Sequence, residues 1–276
     1  MKGTALVIGA AGGMGTQVAK LLHTSGYNVA ATVLDEKEEA HLKAAVPGLA
    51  APVKLDLANA DTVLAGLKKL ALPSLDAVVV CAAIGPTGPL ETQPLALFRR
   101  TLEINTVAAV AIYQACMPAL RAAKGRLVFI SSFAGKVGLP FIGFYVASKH
   151  ALEGLGDVMR REAKMFGVDI VLVEPGGVKT GMVEGQLAGV ARDRAALQGE
   201  EAERYGPMYD GFLKLVKRSW DVMIEPAVVA ETVLTALRAN PPQARYQVGD
   251  DSKFLVEASR KPDTEIDAIV ANFGAV

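Results

Sequence analysis

Tyr145 and Lys149 stand four positions apart in FYVASKHALEG (144–154), a stretch otherwise made largely of small and apolar residues. In a helix that spacing puts two side chains on one face, with roughly 6 Å between their Cβ atoms. A free tyrosine titrates near pH ~10, so it exchanges protons at neutral pH only with help. An ammonium group at that spacing can lower the phenol's pKa by stabilising the phenolate. The same pattern also suits a lysine stem covering a half-buried ring, with no chemistry involved. Ser132 lies thirteen positions before the tyrosine, at the end of a strand-like run, where its hydroxyl can bond the same substrate oxygen. Asn105, within RTLEINTVAAV, is an isolated polar residue on an apolar helix. A buried amide there must find partners, and a water linking it to the lysine can be one of them.

A second set of residues has the types and spacing to hold a nucleotide. In IGAAGGMG (8–15), Gly9, Gly13 and Gly15 follow a strand-like run and open a helix. Glycines so placed allow a tight turn, close approach to a pyrophosphate and close helix–strand packing. The free N–H groups and dipole of the helix start favour phosphate. Glycine turns also join strands to helices where nothing binds, so this motif is weak alone. A 2′-phosphate would call for a cation near the end of the second strand or in the turn. The strand instead ends Val33-Leu34-Asp35, followed by Glu36-Lys37-Glu38-Glu39, and the turn has no basic residue. This favours NAD over NADP, with Lys37 the residue that argues the other way. Asp35 can accept bonds from a ribose diol or cap the helix beginning at Glu36. Asp56, closing the third strand, can accept from an adenine amino group or cap the helix near Asn59.

These groups need a scaffold, and the hydrophobic pattern supplies one. The runs at 4–10, 28–34, 51–57, 75–83, 125–131 and 168–175 are continuously apolar rather than alternating, as in strands buried on both faces. Helical stretches are predicted at 13–25, 36–46, 59–71, 94–117 and 144–167, with a further helix at 226–239 and a short strand at 244–249. The alternation predicts a doubly wound parallel α/β sheet of about seven strands, with helices on both faces. Residues 85–94 read as a Gly/Pro-rich loop, and 181–225 as broken helical pieces inserted at the carboxyl end of a strand, where such sheets bind ligands. The insertion must also pack a small core of its own. A single domain over 1–276 accommodates all of this, and no role is assigned to 250–276.

Composition narrows the function. Lys plus Arg and Asp plus Glu are 29 each, so no net field recruits nucleic acid or an anionic membrane. Two isolated cysteines, Cys81 and Cys116, suit reduced core residues in a reducing compartment. Glycines interrupt the N-terminal apolar run, and no uninterrupted stretch of about twenty apolar residues exists. The expectation is a soluble cytoplasmic protein without a membrane span. A nucleophile elbow is absent, the three histidines are scattered, and no cluster has metal-ligand spacing. His23, His41 and His150 are read as surface residues.

Taken together, the glycine turn at 9–15, Asp56, Asn105, the Ser132…Tyr145-Val-Ala-Ser-Lys149 block and Pro175-Gly-Gly-Val-Lys-Thr180 resemble the short-chain dehydrogenase/reductase family, of the type with a single Rossmann nucleotide-binding domain. The resemblance implies that Tyr145 is the general acid for carbonyl reduction and the base for alcohol oxidation. It implies that Lys149 lowers the phenol's pKa and binds the nicotinamide ribose, that Ser132 orients the carbonyl, and that Asn105 holds a water of the proton relay. It also places Gly9, Ala11, Gly13, Met14, Gly15, Asp35, Asp56, Leu57, Ala82, Ala83, Pro175, Gly176, Val178 and Thr180 along the cofactor. The chain departs from the family pattern at Val80-Cys81-Ala82-Ala83, where Asn-Asn-Ala-Gly is usual, and at Ile8, where threonine is usual.

The implied activity interconverts a hydrophobic ketone or aldehyde and its alcohol. Alternatives are a cofactor-binding sensor or scaffold without turnover, and a dehydratase or epimerase that recycles its cofactor. Val137, Leu139, Phe141, Met182, Tyr209 and Phe212 are expected to wall an apolar substrate pocket. The long apolar helices 94–117 and 144–167 are expected to pair in a homodimer or homotetramer, as family members do.

Overall fold

The computed structural model describes residues 3–272. The ends of the expected 1–276 domain, Met1–Lys2 and Phe273–Val276, lie outside the described residues. Seven strands form one sheet: β1 (Thr4–Ile8), β2 (Asn28–Val33), β3 (Val53–Lys54), β4 (Ala77–Val80), β5 (Arg126–Ile130), β6 (Asp169–Pro175) and β7 (Arg245–Val248). Their spatial order is β3-β2-β1-β4-β5-β6-β7, and every pairing is parallel. The doubly wound parallel sheet is therefore observed.

The helices are α1 (Gly13–Thr24), α2 (Glu36–Ala45), α3 (Ala60–Lys69), α4 (Leu95–Leu102), α5 (Ala108–Ala123), α6 (Gly143–Ala163), α7 (Gly181–Ala196), α8 (Gly199–Ser219), α9 (Pro226–Arg238), α10 (Asp250–Ala258) and α11 (Asp263–Asn272). The continuous apolar character of β1, β4, β5 and β6 follows from burial on two faces, whereas both residues of the edge strand β3 are exposed, against the expectation for 51–57. In β1, Leu6 and Ile8 join the layer containing Val63 and Leu67 of α3, Ile112 of α5 and Leu152 of α6. Ala5 and Val7 join the opposite layer, with Val18 and Leu22 of α1 and Val229 and Val233 of α9.

Several boundaries differ from those read in the sequence. The predicted strands 51–57 and 75–83 shorten to β3 and β4, because strand pairing ends before the apolar run does. The predicted helix 94–117 is two helices, α4 and α5, joined by a π-helical turn at Glu103–Val107 that holds Asn105. Helix 144–167 ends at Ala163 and passes through a 3-10 turn at Lys164–Phe166 into left-handed Gly167. The insertion 181–225 holds two long helices, α7 and α8, and the unassigned tail folds into α10 and α11. The helical run Leu95–Ala123 has the length and apolar composition to cross a membrane, yet half of its most apolar window is buried inside the fold.

The chain leaves β1 toward β2 and β3, then returns beyond β1 to start β4. The winding reverses at the carboxyl ends of β1 and β4, the switch point at which open α/β sheets bind ligands. The glycine turn, the 85–94 loop, the start of α6 and α7 all meet around it.

Candidate active site

Helix α6 brings Tyr145 and Lys149 onto one face, with Lys149 Nζ 5.6 Å from the centre of the tyrosine ring. Lys149 is 2% exposed and donates to the Ile130 carbonyl at the end of β5, at 2.8 Å. Burial pulls its pKa down to about 8, against an opposing pull from the Glu153 carboxylate and a weaker one from Cys81. Burial pushes the Tyr145 phenol up from its ordinary value, and an interaction with the Ser132 hydroxyl partly opposes this. The expectation that lysine lowers the phenol's pKa is thus reversed in the free protein. The ammonium hydrogen-bonds a carbonyl instead of the phenol, and desolvation of the phenolate dominates. Ser132, at the end of the β5 segment, is buried, and its Oγ accepts from Ala134 N at 3.1 Å.

Asn105 makes its side-chain bonds to Ile84 and Ser148. Its Nδ2 donates to the Ile84 carbonyl at 2.8 Å and to Ser148 Oγ at 3.0 Å, while its Oδ1 accepts from Ile84 N at 2.9 Å. Both amide hydrogens are therefore occupied. Ser148, fully buried, donates to the Tyr145 carbonyl at 2.7 Å, and Thr106 Oγ1 donates to the Ser148 carbonyl at 3.0 Å. A side-chain clamp thus ties the segment leaving β4 to the first turns of α6. The sequence reading missed Ser148, although its place between the reacting tyrosine and lysine was visible.

The glycine turn has the form a dinucleotide needs. Gly9 has φ +73°, and a Cβ there would lie 2.6 Å from the Ala82 Cβ. At Gly15 a Cβ would lie 2.1 Å from the Gly9 carbonyl oxygen. No side chain caps α1, so its first N–H groups are left unclaimed by a cap. Gly13 sits against Thr180, with 3.1 Å from a Cβ there to Thr180 Cγ2. Gly12 and Gly13 are exposed, and Ala11 and Met14 are half-buried. The bond expected to be lost with threonine at position 8 has a substitute, because Gly9 N donates to Thr32 Oγ1 of β2 at 3.2 Å. These residues fit a dinucleotide: the cradle is one that added Cβ atoms would fill, and it ends in uncapped N–H groups.

The remaining cofactor candidates divide. Asp35 caps α2, accepting from Glu38 N at 2.9 Å, while Glu38 Oε2 accepts from Leu34 N, one residue before the cap, at 2.7 Å. Asp56 does not cap α3; Asn59 does, accepting from Thr62 N at 3.1 Å. Asp56 closes a turn to Ala58 N at 2.9 Å and is otherwise exposed. Leu57 is buried, whereas Ala82 and Ala83 are half-buried at the β4 exit. After Pro175, Gly176 leaves room for Asp251 of α10, which accepts from Gly177 N at 2.7 Å. Val178 is buried and bridges to Ile224, and Thr180 precedes α7 without a side-chain capping bond.

The expected apolar wall is partly a separate core. Phe141 stacks on Phe212 with ring centres 4.8 Å apart and meets Tyr209 edge-on at 4.9 Å. With Val190 and Val216 these rings fasten α7 and α8 to the 137–142 loop. Phe141 and Phe212 are buried by that packing, and Val137 is buried elsewhere in the loop. Met182 and the half-buried Leu139 remain accessible. Gly85 lies under α7: a Cβ there would be 2.7 Å from Gln186 Nε2, 3.3 Å from Met182 Sδ and 3.6 Å from Tyr145 Cδ2. Gln186 Nε2 donates to the Gly85 carbonyl at 2.6 Å, latching α7 beside the phenol. His41 and His150 are exposed as expected, but His23 is half-buried.

The sheet order, the glycine cradle and the Ser–Tyr–Lys cluster define a dinucleotide-dependent α/β oxidoreductase. The sequence profile of the short chain dehydrogenase family matches residues 3–190, and the chain belongs to that family, whose members use NAD or NADP. It is similar to 17-beta-hydroxysteroid dehydrogenase type 1 of Homo sapiens, at 31% identity over 251 residues, covering 87% of this chain and 76% of that protein. It is also similar to an NADPH-dependent 3-dehydrocapnine reductase of Ornithobacterium rhinotracheale, at 27% identity, covering 96% and 95% of the two chains. A short-chain dehydrogenase structure from Streptomyces avermitilis shares the fold, with TM-score 0.76 at 23% identity over 98% of this chain and 93% of that one.

Proposed function

We propose that the protein reduces a bulky hydrophobic ketone or aldehyde to its alcohol, and runs the reverse reaction at higher pH, with NAD(H) preferred over NADP(H). The single observation that carries this reading is the half-buried Tyr145, flanked by buried Ser132 and Lys149 at the carboxyl ends of the strands. The bound cofactor supplies or accepts the hydride.

As a carbonyl is reduced, negative charge grows on its oxygen. Tyr145 Oη, protonated at neutral pH as an ordinary phenol is and pushed further that way by burial, donates toward that oxygen and then transfers the proton. Ser132 Oγ supplies a second aimed donor, so the charge develops against fixed dipoles in a desolvated site. Lys149, held by Ile130, places a positive charge behind the phenol as phenolate forms, and its ammonium is positioned to bond ribose hydroxyls. Asn105 and Ser148 fix the α6 start against Ile84, so the phenol meets the substrate at a constant position.

Met182 and Leu139 support an apolar substrate, and the steroid in the name of the human relative belongs to that class. Asp35 and its acidic neighbours Glu36, Glu38 and Glu39 disfavour a 2′-phosphate, while Lys54 is committed to Glu36 at 2.6 Å. Exposed Val107 and Val158 support pairing of two copies through α5 and α6. The reading is tested by following reduced-cofactor absorbance with NADH and with NADPH across a panel of steroid, aryl and long-chain ketones. Turnover on apolar ketones with NADH ahead of NADPH is expected. Cofactor binding without turnover on any member would contradict it.

A further inference from the structure

Behind the reacting lysine lies a group of charges that the proposed chemistry does not use. Glu153 follows Lys149 by one turn on the same face of α6 and is 3% exposed. Its Oε2 is 2.9 Å from Lys136 Nζ and 2.9 Å from Arg245 Nε of β7, while Oε1 is buried with no hydrogen-bond partner. Gly135 makes the close approach possible, since a Cβ there would lie 2.8 Å from Glu153 Cγ and 3.0 Å from the Lys149 carbonyl.

The facing groups come from every neighbouring element. From α6, Asp157 lies 2.9 Å from Arg245 Nη2 and 3.1 Å from Arg160 Nη2. From β6, Glu174 is fully buried, with Oε1 3.2 Å from Arg245 Nε but not aligned for a hydrogen bond. From β7, Gln247 donates to Glu174 Oε2 at 2.5 Å, and from α10, Ser252 donates to the Glu174 carbonyl at 2.6 Å. Arg245 thus lies against Glu153, Asp157 and Glu174, the last pushed up to about 7 by burial and by the neighbouring Glu153 charge. Lys149, desolvated and bonded to one carbonyl, feels that charge, which favours its protonated form. Burying a carboxylate with an unpartnered oxygen is costly for stability alone, so a role through the lysine accounts for it better.

We propose that Glu153 is a positioning residue of the reaction, its buried carboxylate providing the field that keeps Lys149 an ammonium ion, with Lys136 and Arg245 setting the strength of that field. The proposal rests on the oxidoreductase reading for its purpose, but its test does not. The Lys149 side chain is titrated in the full-length free protein by carbon-13 NMR of labelled lysine Cε, its signal identified by its loss in Lys149→Met. In Glu153→Gln the midpoint falls by about one pH unit, as removal of a nearby opposite charge requires, and Glu153→Asp restores most of it. Lys136→Met, which leaves the carboxylate less neutralised, moves the midpoint upward and carries the test if Glu153→Gln does not fold. Unchanged midpoints in the folded variants, or a fall in Lys136→Met, overturn the proposal. Absence of turnover on every ketone would contradict the oxidoreductase reading while leaving this measurement decisive for Glu153.

Discussion

Lys149 Nζ lies 5.6 Å from the centre of the Tyr145 ring and bonds the Ile130 carbonyl in place of the phenol. A half-buried tyrosine and a buried lysine with displaced proton affinities therefore face one another: a phenol pushed up and an ammonium pulled down to about 8. Reduction needs the phenol protonated and the lysine charged. As pH rises through about 8 the lysine loses its proton and phenolate stabilisation goes with it, so the reduction rate is expected to fall above that pH. Oxidation needs the phenol deprotonated and is expected to gain with pH before that loss sets in. Steady-state profiles in both directions from pH 5 to 10 check this, and a reduction rate that climbs across the alkaline range would contradict it.

The Asn105 clamp makes a separate prediction. Asn105→Ala leaves Ile84 N and the Ile84 carbonyl without their amide partner, at about 1–3 kcal/mol for each group left unbonded, while Ser148 Oγ keeps its bond to the Tyr145 carbonyl. Partial rehydration lowers the total, and a fall in Tm of about 5–10 °C is expected, from the usual ~2–4 °C per kcal/mol for larger domains. The kcat is expected to fall more than tenfold because the start of α6 loses its anchor, which differential scanning calorimetry and kinetics on the same preparation would show together.

Gln186 holds α7 over the site through one bond to Gly85, worth about 1 kcal/mol net. In Gln186→Leu the lid is expected to open about fivefold more often, read as a similar increase in the rate of limited proteolysis within 181–225. Substrate KM rises a few-fold while cofactor affinity stays unchanged, because the glycine cradle lies on another element.

Much of this architecture was legible because its causes are local. Continuous apolar runs marked the strands, and Gly9, Gly13 and Gly15 each sit where a Cβ would strike backbone or a neighbouring side chain. Tyr145, Lys149 and Ser132 converge because a helical turn and a strand end bring them together. What escaped depended on contacts distant in sequence. Thr32 reaches Gly9 across twenty-three residues and Asn105 reaches Ile84 across twenty-one, and neither partner carries a motif. Phe141 and Phe212 have the composition of a pocket wall, and only their stacking at 4.8 Å shows that they fill a core. The sign of the phenol's shift was also out of reach, since burial outweighs charge only once both are placed in space.

The central claim is that the Tyr145 hydroxyl moves the proton. Its most direct test is Tyr145→Phe, with reduced-cofactor binding measured by fluorescence and ketone reduction measured on the same protein. Binding within about threefold of the parent and turnover lowered at least a thousandfold are expected, the scale at which loss of an acid and its oriented bond is felt. Turnover kept within tenfold, with binding intact, would contradict the account.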